Sequence, residues 1–428
     1  MSLRRTTICA LALLAWLAAG VSPVPASGPL YVTGPDATFP GRAYHWTLNP
    51  IPYKTDLGSL GTQTNAQANT LVSDAFQVWQ SVSTANISFQ NPGQLSTDVT
   101  AANIRDFQNA IGGCNDATQP TNSIIYDLDG SAVAEYLGAA NRNLVLGFAG
   151  PLCLDTVAGV YTRGWAVMNG WFIDGSSLPP GPDNHKQVSL DTFKAVFIHE
   201  FGHLIGLDHS QINLDCLDNK NACVNDGSIV GVPTMFPVLL DVSQGTPRTD
   251  DTAGLSALYP AADGSFTSTK GRIQGHVFFS DGATPAQGYN VIARQVGHSR
   301  SIAASCVSGF RFTAAAGNTL VPSGGDTESP FGSRDHDLIG FYDIPGLPPG
   351  TYTVEVEAIN NSGDHPFIGG SSVGPIGADS PVGLGFQFKM PWTAAQLTVT
   401  VTANNTEVGK DLIFDGTPPR YDAWEDGP

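Results

Sequence analysis

The chain has 428 residues, 41% of them hydrophobic, and a mean hydropathy of −0.03, enough for two or three globular domains with real cores. Its net charge of −18 argues against nucleic acid and anionic membrane surfaces as partners. Its 48 glycines and 30 prolines are spread along the sequence, which points to turns and β structure rather than to helix bundles.

Arg4 and Arg5 precede an apolar run over residues 8–20 (ICALALLAWLAAG) that is too short to span a bilayer. With Val24-Pro25-Ala26 as a small-residue cleavage site, residues 1–26 read as an export signal and Ser27 as the mature start. No later run is long and apolar enough for a membrane helix, so the expected protein is secreted. Residues 27–43 form a short Gly/Pro-rich segment. Residues 44–56 read as a first strand. Residues 62–84 read as a helix, with Leu71, Ala75, Phe76, Val78, Trp79 and Val82 at 3.6 spacing. Residues 87–89, 123–127 and 144–148 read as short strands, and 157–174 as a hairpin turning at Arg163-Gly164. A helix is predicted from Ser189, a good N-cap, with Phe193, Val196, Phe197 and Leu204 on its buried side. A tight apolar turn at 232–237 and a final helix over 250–259, capped by Asp250 and stopped by Pro260, complete the order of an α+β domain with a twisted mixed sheet over 44–260. Residues 261–270 read as a linker. From 271 to 428 the period changes to two, with strands expected at 272–279, 289–296, 340–344, 351–359, 383–390 and 396–402, which predicts an all-β sandwich. A Gly/Ser/Asp-rich insertion at 310–336 reads as a mobile loop.

Residues 199–210 read His-Glu-Phe-Gly-His-Leu-Ile-Gly-Leu-Asp-His-Ser. His199 and His203 are four apart, so on a helix both imidazoles leave one face, with Glu200 beside them. Gly206 lets the helix stop and the chain turn back, which brings His209 round as a third nitrogen. Three neutral histidines on one Zn²⁺ leave a coordination position open for water, the arrangement of a catalytic zinc site. A purely structural zinc would leave Glu200 without a purpose.

Cys114, Cys153, Cys216, Cys223 and Cys306 remain after the signal, and export makes disulfides the expectation. Cys216–Cys223 would staple one loop, Cys114–Cys153 is the natural second pair, and Cys306 is left as a buried thiol; spacing alone does not fix the connectivity. Asp127 and Asp129 before a glycine, and Asp215, Asp218 and Asp226, offer oxygen ligands for Ca²⁺. Neither group has the full spacing of an EF-hand loop, and solvated Asp-Gly turns are the alternative.

These residues resemble the catalytic domain of a metzincin zinc metallopeptidase, and within that clan a matrixin (matrix metalloproteinase-like), over roughly residues 40–260. The resemblance rests on HEFGHLIGLDHS at 199–210, PTMFP at 233–237 and DDTAGLSALYP at 250–260, with Ser210 after the third histidine as the matrixin choice. It implies His199, His203 and His209 as zinc ligands, Glu200 as general base, and Met235 as the turn residue beneath the metal. It also implies a zinc metalloendopeptidase acting on protein or peptide substrates, the extracellular matrix among them. Zinc would acidify a water and polarise the scissile carbonyl, while Glu200 would pass a proton from the water to the departing amine. The substrate would lie extended along an edge strand, expected within 157–174.

Three departures from the family stand out. No cysteine lies between the signal and Cys114, so a cysteine switch is absent. His185 is the only histidine between His45 and His199, too few for a structural zinc site. Between His209 and Met235 lies an insertion that either borders the cleft or forms a stapled surface loop. Residues 340–356 (GFYDIPGLPPGTYTVEV) and 271–281 (GRIQGHVFFSD) resemble carboxypeptidase-regulatory-like, prealbumin-type sandwich domains. His276, His298, His336 and His365 are scattered there and form no catalytic set. That domain is expected to bind substrate, matrix or a cell surface, or to stabilise the protein. The rival reading is an extracellular adhesion or binding protein with a vestigial protease domain; the intact Glu200 favours the enzyme.

Overall fold

An apolar period of 3.6 in the first half and of two in the second give an α+β unit followed by two face-packed sheets. The computed structural model describes residues 28–176, 187–312, 331–359, 373, 396–413 and 415. The expected signal, His185, most of the 310–336 insertion, His365 and the strand expected at 383–390 lie outside the described residues.

Pro50 and Pro52 lack the N–H groups that a continuous ladder needs, and the expected first strand is split into β1 (Ile51–Pro52) and β2 (Lys54–Thr55). Helix α1 (Asn65–Gln80) starts at Thr64 in a capping box with Gln67 and buries Leu71, Val72, Ala75, Phe76 and Trp79. Then come β3 (Phe89–Gln90), α2 (Ile104–Gly112), β4 (Asn122–Asp127), α3 (Ser131–Leu137), β5 (Gly147–Asp155) and β6 (Val160–Asn169). One sheet has the order β2-β4-β6-β5; β2, β4 and β6 run parallel, and β5 is antiparallel at the edge. Helix α4 (Leu190–Leu204) is N-capped by Ser189, whose Oγ accepts the Thr192 N–H at 3.1 Å. Its Phe193, Phe197 and Phe201 are buried, and Phe201 stacks on Phe76 of α1 with ring centroids 4.0 Å apart.

The expected hairpin at 157–174 is corrected. β6 runs unbroken through Arg163 and Gly164. The turn lies before it, where Asp155 Oδ1 accepts the N–H groups of Val157 and Ala158 (3.1 and 2.9 Å) and Gly159 takes φ +72°. Gly164 serves close approach instead: a Cβ there would lie 2.7 Å from Asn122 Oδ1 and 2.8 Å from Leu204 Cδ1. β6 is therefore enclosed by β4 and β5, and the edge strand is β5, not a strand within 157–174.

After α5 (Asp215–Asp218) and α6 (Lys220–Asn225), helix α7 (Thr249–Leu258) follows; Asp250 lies inside its first turn and does not cap it. The expected linker holds helix α8 (Ser265–Thr269), with Phe266 buried. The second half comprises β7 (Gly271–Phe278), β8 (Tyr289–Gln295), β9 (Ala303–Val307), β10 (Phe341–Leu347), β11 (Gly350–Ala358), β12 (Leu397–Val401), β13 (Thr406–Glu407) and β14 (Leu412–Ile413). One sheet is β10-β7-β13, with β14 also on β7; the other is β12-β11-β8-β9. β7 alternates buried Ile273 and Val277 with half-buried residues, as period two requires. β9 shows no such alternation because it is buried on both faces. Disulfides join Cys114 to Cys153 and Cys216 to Cys223, and Cys306 is a buried free thiol. Among the described residues no helix is long and apolar enough to cross a membrane.

Both halves contribute to one apolar core, in which Val32, Tyr44 and Leu258 belong to the same cluster as Ile273, Tyr342 and Phe331. The full chain is expected to unfold in a single calorimetric transition; two well-separated transitions would show independent cores. Gly164→Ala is expected to cost about 1–3 kcal/mol in urea unfolding, because the added methyl has no space beside Asn122 and Leu204.

Candidate metal centre

The pitch of α4 stacks His199 and His203 on one face. The helix ends at Leu204, and Gly206 at φ +99° reverses the chain, with its N–H donating to His203 O (3.0 Å) and that of Leu207 to Gly202 O (2.9 Å). A side chain at Gly206 would also meet the Tyr161 ring, 2.7 Å from Cε2. The reversal delivers His209. His203 Nε2 lies 3.1 Å from His199 Nε2 and 3.1 Å from His209 Nε2. His199 Nδ1 faces Thr234 O at 2.7 Å and His203 Nδ1 faces Leu207 O at 2.9 Å. A carbonyl only accepts, so each Nδ1 carries the proton and each Nε2 presents a lone pair to the shared point. His209 Nδ1 is 3.5 Å from Asp208 Oδ1. Nitrogens bound tetrahedrally to zinc stand about 3.3 Å apart for Zn–N bonds of ~2.0–2.1 Å, and the observed spacing fits that donor set. Burial pushes the His199 and His203 imidazoles below their usual range, and for His203 the neighbouring histidines add to this, which favours the neutral form that a metal ligand requires.

Glu200 is buried and turns toward β5, where its carboxylate accepts the Ala149 N–H. Burial pushes its carboxyl up to about 8, against the pull of that hydrogen bond. It lines a cleft of about 410 Å³ together with the three histidines, Gly147 and Phe148 of β5, and on the opposite wall Phe236, Pro237 and Leu239. None of residues 211–231 lines this cleft; the insertion turns the other way, against the second half of the chain.

Met235 is fully buried directly beneath α4, where a Cβ on Gly202 would fall 2.2 Å from its Sδ. Its turn is held by a residue that the sequence reading did not single out. Asp251, buried in α7, accepts the N–H groups of Thr234 (2.9 Å), Met235 (3.0 Å) and Arg248 (2.6 Å). The only sequence signal for it is an acid in the first turn of a helix. Its neighbour Asp250, expected as a cap, accepts the Ser305 N–H of β9 at 2.7 Å.

Of the calcium candidates, Asp127, Asp129 and Asp226 are engaged by backbone N–H groups and Asp215 by an arginine side chain. Asp127 Oδ2 accepts the Val133 N–H (2.7 Å) and Asp129 Oδ1 that of Ser131 (3.0 Å), both at the start of α3. Asp215 pairs with Arg300, and Asp226 Oδ1 accepts the Ser228 N–H at 2.8 Å. Among the described residues, His199, His203 and His209 form one cluster suited to a metal; the other, Asp215 with Cys216 and Cys223, has both sulfurs in a disulfide.

No protein-family model matches the chain, and no curated protein matches it. Among solved structures, a minor pilin of Streptococcus agalactiae aligns at 15% identity over 36% of this chain and 48% of the pilin, with a TM-score of 0.16. A candidate carbohydrate-binding protein of Pseudomonas aeruginosa aligns at 14% identity over 34% of this chain and 90% of that one, with a TM-score of 0.15. The chain thus spans about half the pilin's length. Likeness at this level assigns neither fold nor activity.

Gly202→Ala is expected to force Met235 from under the helix. It should cost about 1–3 kcal/mol in thermal unfolding and weaken metal binding about 10–100-fold in competition with a chromophoric chelator.

Proposed function

We propose that this chain is a secreted zinc-dependent metalloendopeptidase of the matrixin type, hydrolysing peptide bonds of extended protein segments. The observation that carries this reading is the convergence of three imidazole Nε2 atoms within 3.1 Å steps beside a buried carboxylate that faces an edge strand. His199, His203 and His209 would hold zinc, which would supply a Lewis acid able to polarise a carbonyl and acidify water. With the metal's positive charge countering the burial that raises its carboxyl, Glu200 would take the proton of the attacking water and deliver it to the departing amine. The outer edge of β5 offers backbone groups on which an extended substrate pairs as an added strand. Phe236, Pro237 and Leu239 give the opposite wall an apolar character suited to a hydrophobic side chain of that substrate. The two disulfides fit an exported protein.

The test is cleavage of an unstructured protein by the zinc-loaded chain. Chelation is expected to abolish cleavage and added zinc to restore it. Glu200→Ala should keep its zinc and lose about 10²–10⁴-fold in kcat/KM. Equal activity in that variant would sink the role of Glu200. A zinc-loaded wild type that cleaves nothing across diverse unfolded proteins would favour a binding protein instead.

A further inference from the structure

Four residues beyond His209, Asn213 is fully buried and takes φ +62°, a left-handed conformation in which a non-glycine residue is uncommon. Its side chain is committed to the second half of the chain. Nδ2 donates to Arg300 O at 3.0 Å, and Oδ1 accepts from Arg294 Nη1 at 2.9 Å. Arg294 is itself fixed by Glu355 (2.7 Å) and Glu357 (3.3 Å) on β11. Between the third histidine and this anchor, Ile212 is buried against Ile292 and Ala303 of the same sheet. On the other side of the segment, the Ser210 N–H donates to Met235 O at 2.9 Å. The stretch from His209 to Asn213 is thus gripped between the turn under α4 and the outer face of the β12-β11-β8-β9 sheet.

We propose that the β-sandwich is a working part of the metal centre: by holding Asn213 it positions His209, and through it the ligand set. Asn213 is a positioning residue, acting through the backbone of 209–213 and not by touching substrate. The inference rests on the reading of the three histidines as zinc ligands. A second contact acts in the same direction. Asp250 receives Ser305 of β9, while the adjacent Asp251 holds Thr234 and Met235, and Thr234 O in turn orients His199. The sheet therefore reaches both the first and the third histidine.

The experiment uses the full-length chain with Asn213→Gly, which tolerates the left-handed backbone but removes the amide, and Asn213→Ala, which also strains the backbone. Arg105→Ala, in an exposed ion pair with Glu135, is the control. Zinc affinity is read by chelator competition, and amide exchange is read across 208–212 and across α1. Both Asn213 variants are expected to bind zinc about 10–100-fold more weakly, with faster exchange at Ser210 and unchanged exchange in α1. Wild-type affinity with wild-type exchange at 208–212 in Asn213→Gly would overturn the proposal. So would exchange that accelerates equally in α1, since that is general destabilisation. A wild type that takes no zinc refutes the peptidase reading instead, and exchange at Ser210 then decides the clamp alone.

Discussion

Asp251 lies fully buried in α7 and takes three backbone N–H groups, from Thr234, Met235 and Arg248. A carboxylate in such a place is tolerable only because those donors replace its water, and it makes the turn at 234–235 as rigid as the helix that carries it. The position of Thr234 O then follows, and with it the tautomer and tilt of His199. Met235 Sδ is set under Gly202, at a distance that leaves no space for a methyl, so α4 settles onto the turn at one height. The approach of His199 and His209 to within 3.1 Å of His203 depends on this floor as much as on the helix that bears two of the three.

The mixed direction of the first sheet matters to the cleft in the same way. Parallel β2, β4 and β6 need crossovers, and their helices cover the sheet; the tight turn at 156–159 allows only an antiparallel neighbour, which puts β5 at the rim. An exposed edge invites other strands. Here its usable length is limited: the register shifts between Pro151 and Leu154, proline has no N–H to offer, and Cys153 is tied back to Cys114. The intact run from Gly147 to Ala149 lines the cleft beside Glu200.

What could be read from the sequence was what is local. His199, Glu200, His203 and His209 are legible because helix pitch and one glycine reversal fix their geometry within eleven residues. The N-cap at Ser189, the stripe of α1 and the alternation of β7 are legible for the same reason. The errors share a cause as well. Gly164 carries a turn signal because glycine punctuates chains, yet in the fold it admits Asn122 and Leu204, which are far away in sequence. Asp250 fitted a cap and instead serves β9 across the molecule. β9 itself, buried on both faces, carried no period to detect. Asp251 and Asn213 gain their roles from partners that no spacing rule connects to them.

The sharing of one core also bears on how the two halves can behave. Arg294 is largely buried and distributes its donors over Glu355, Glu357, Asn213 and Ser299 O. Glu357 is half-buried, and burial pushes its carboxyl above its usual range, with Arg294 pulling it back. Separating the halves would strip this cluster of Asn213, open the Ile212–Ile292 contact to water and take Ser305 from Asp250. The polar contacts would be exchanged for water at about 0.5–1.5 kcal/mol apiece, and the apolar one would lose its burial. A sandwich held by such contacts does not swing on a tether. Its docking face is spent on the first half, and any further ligand of the sandwich must be met by its other surfaces.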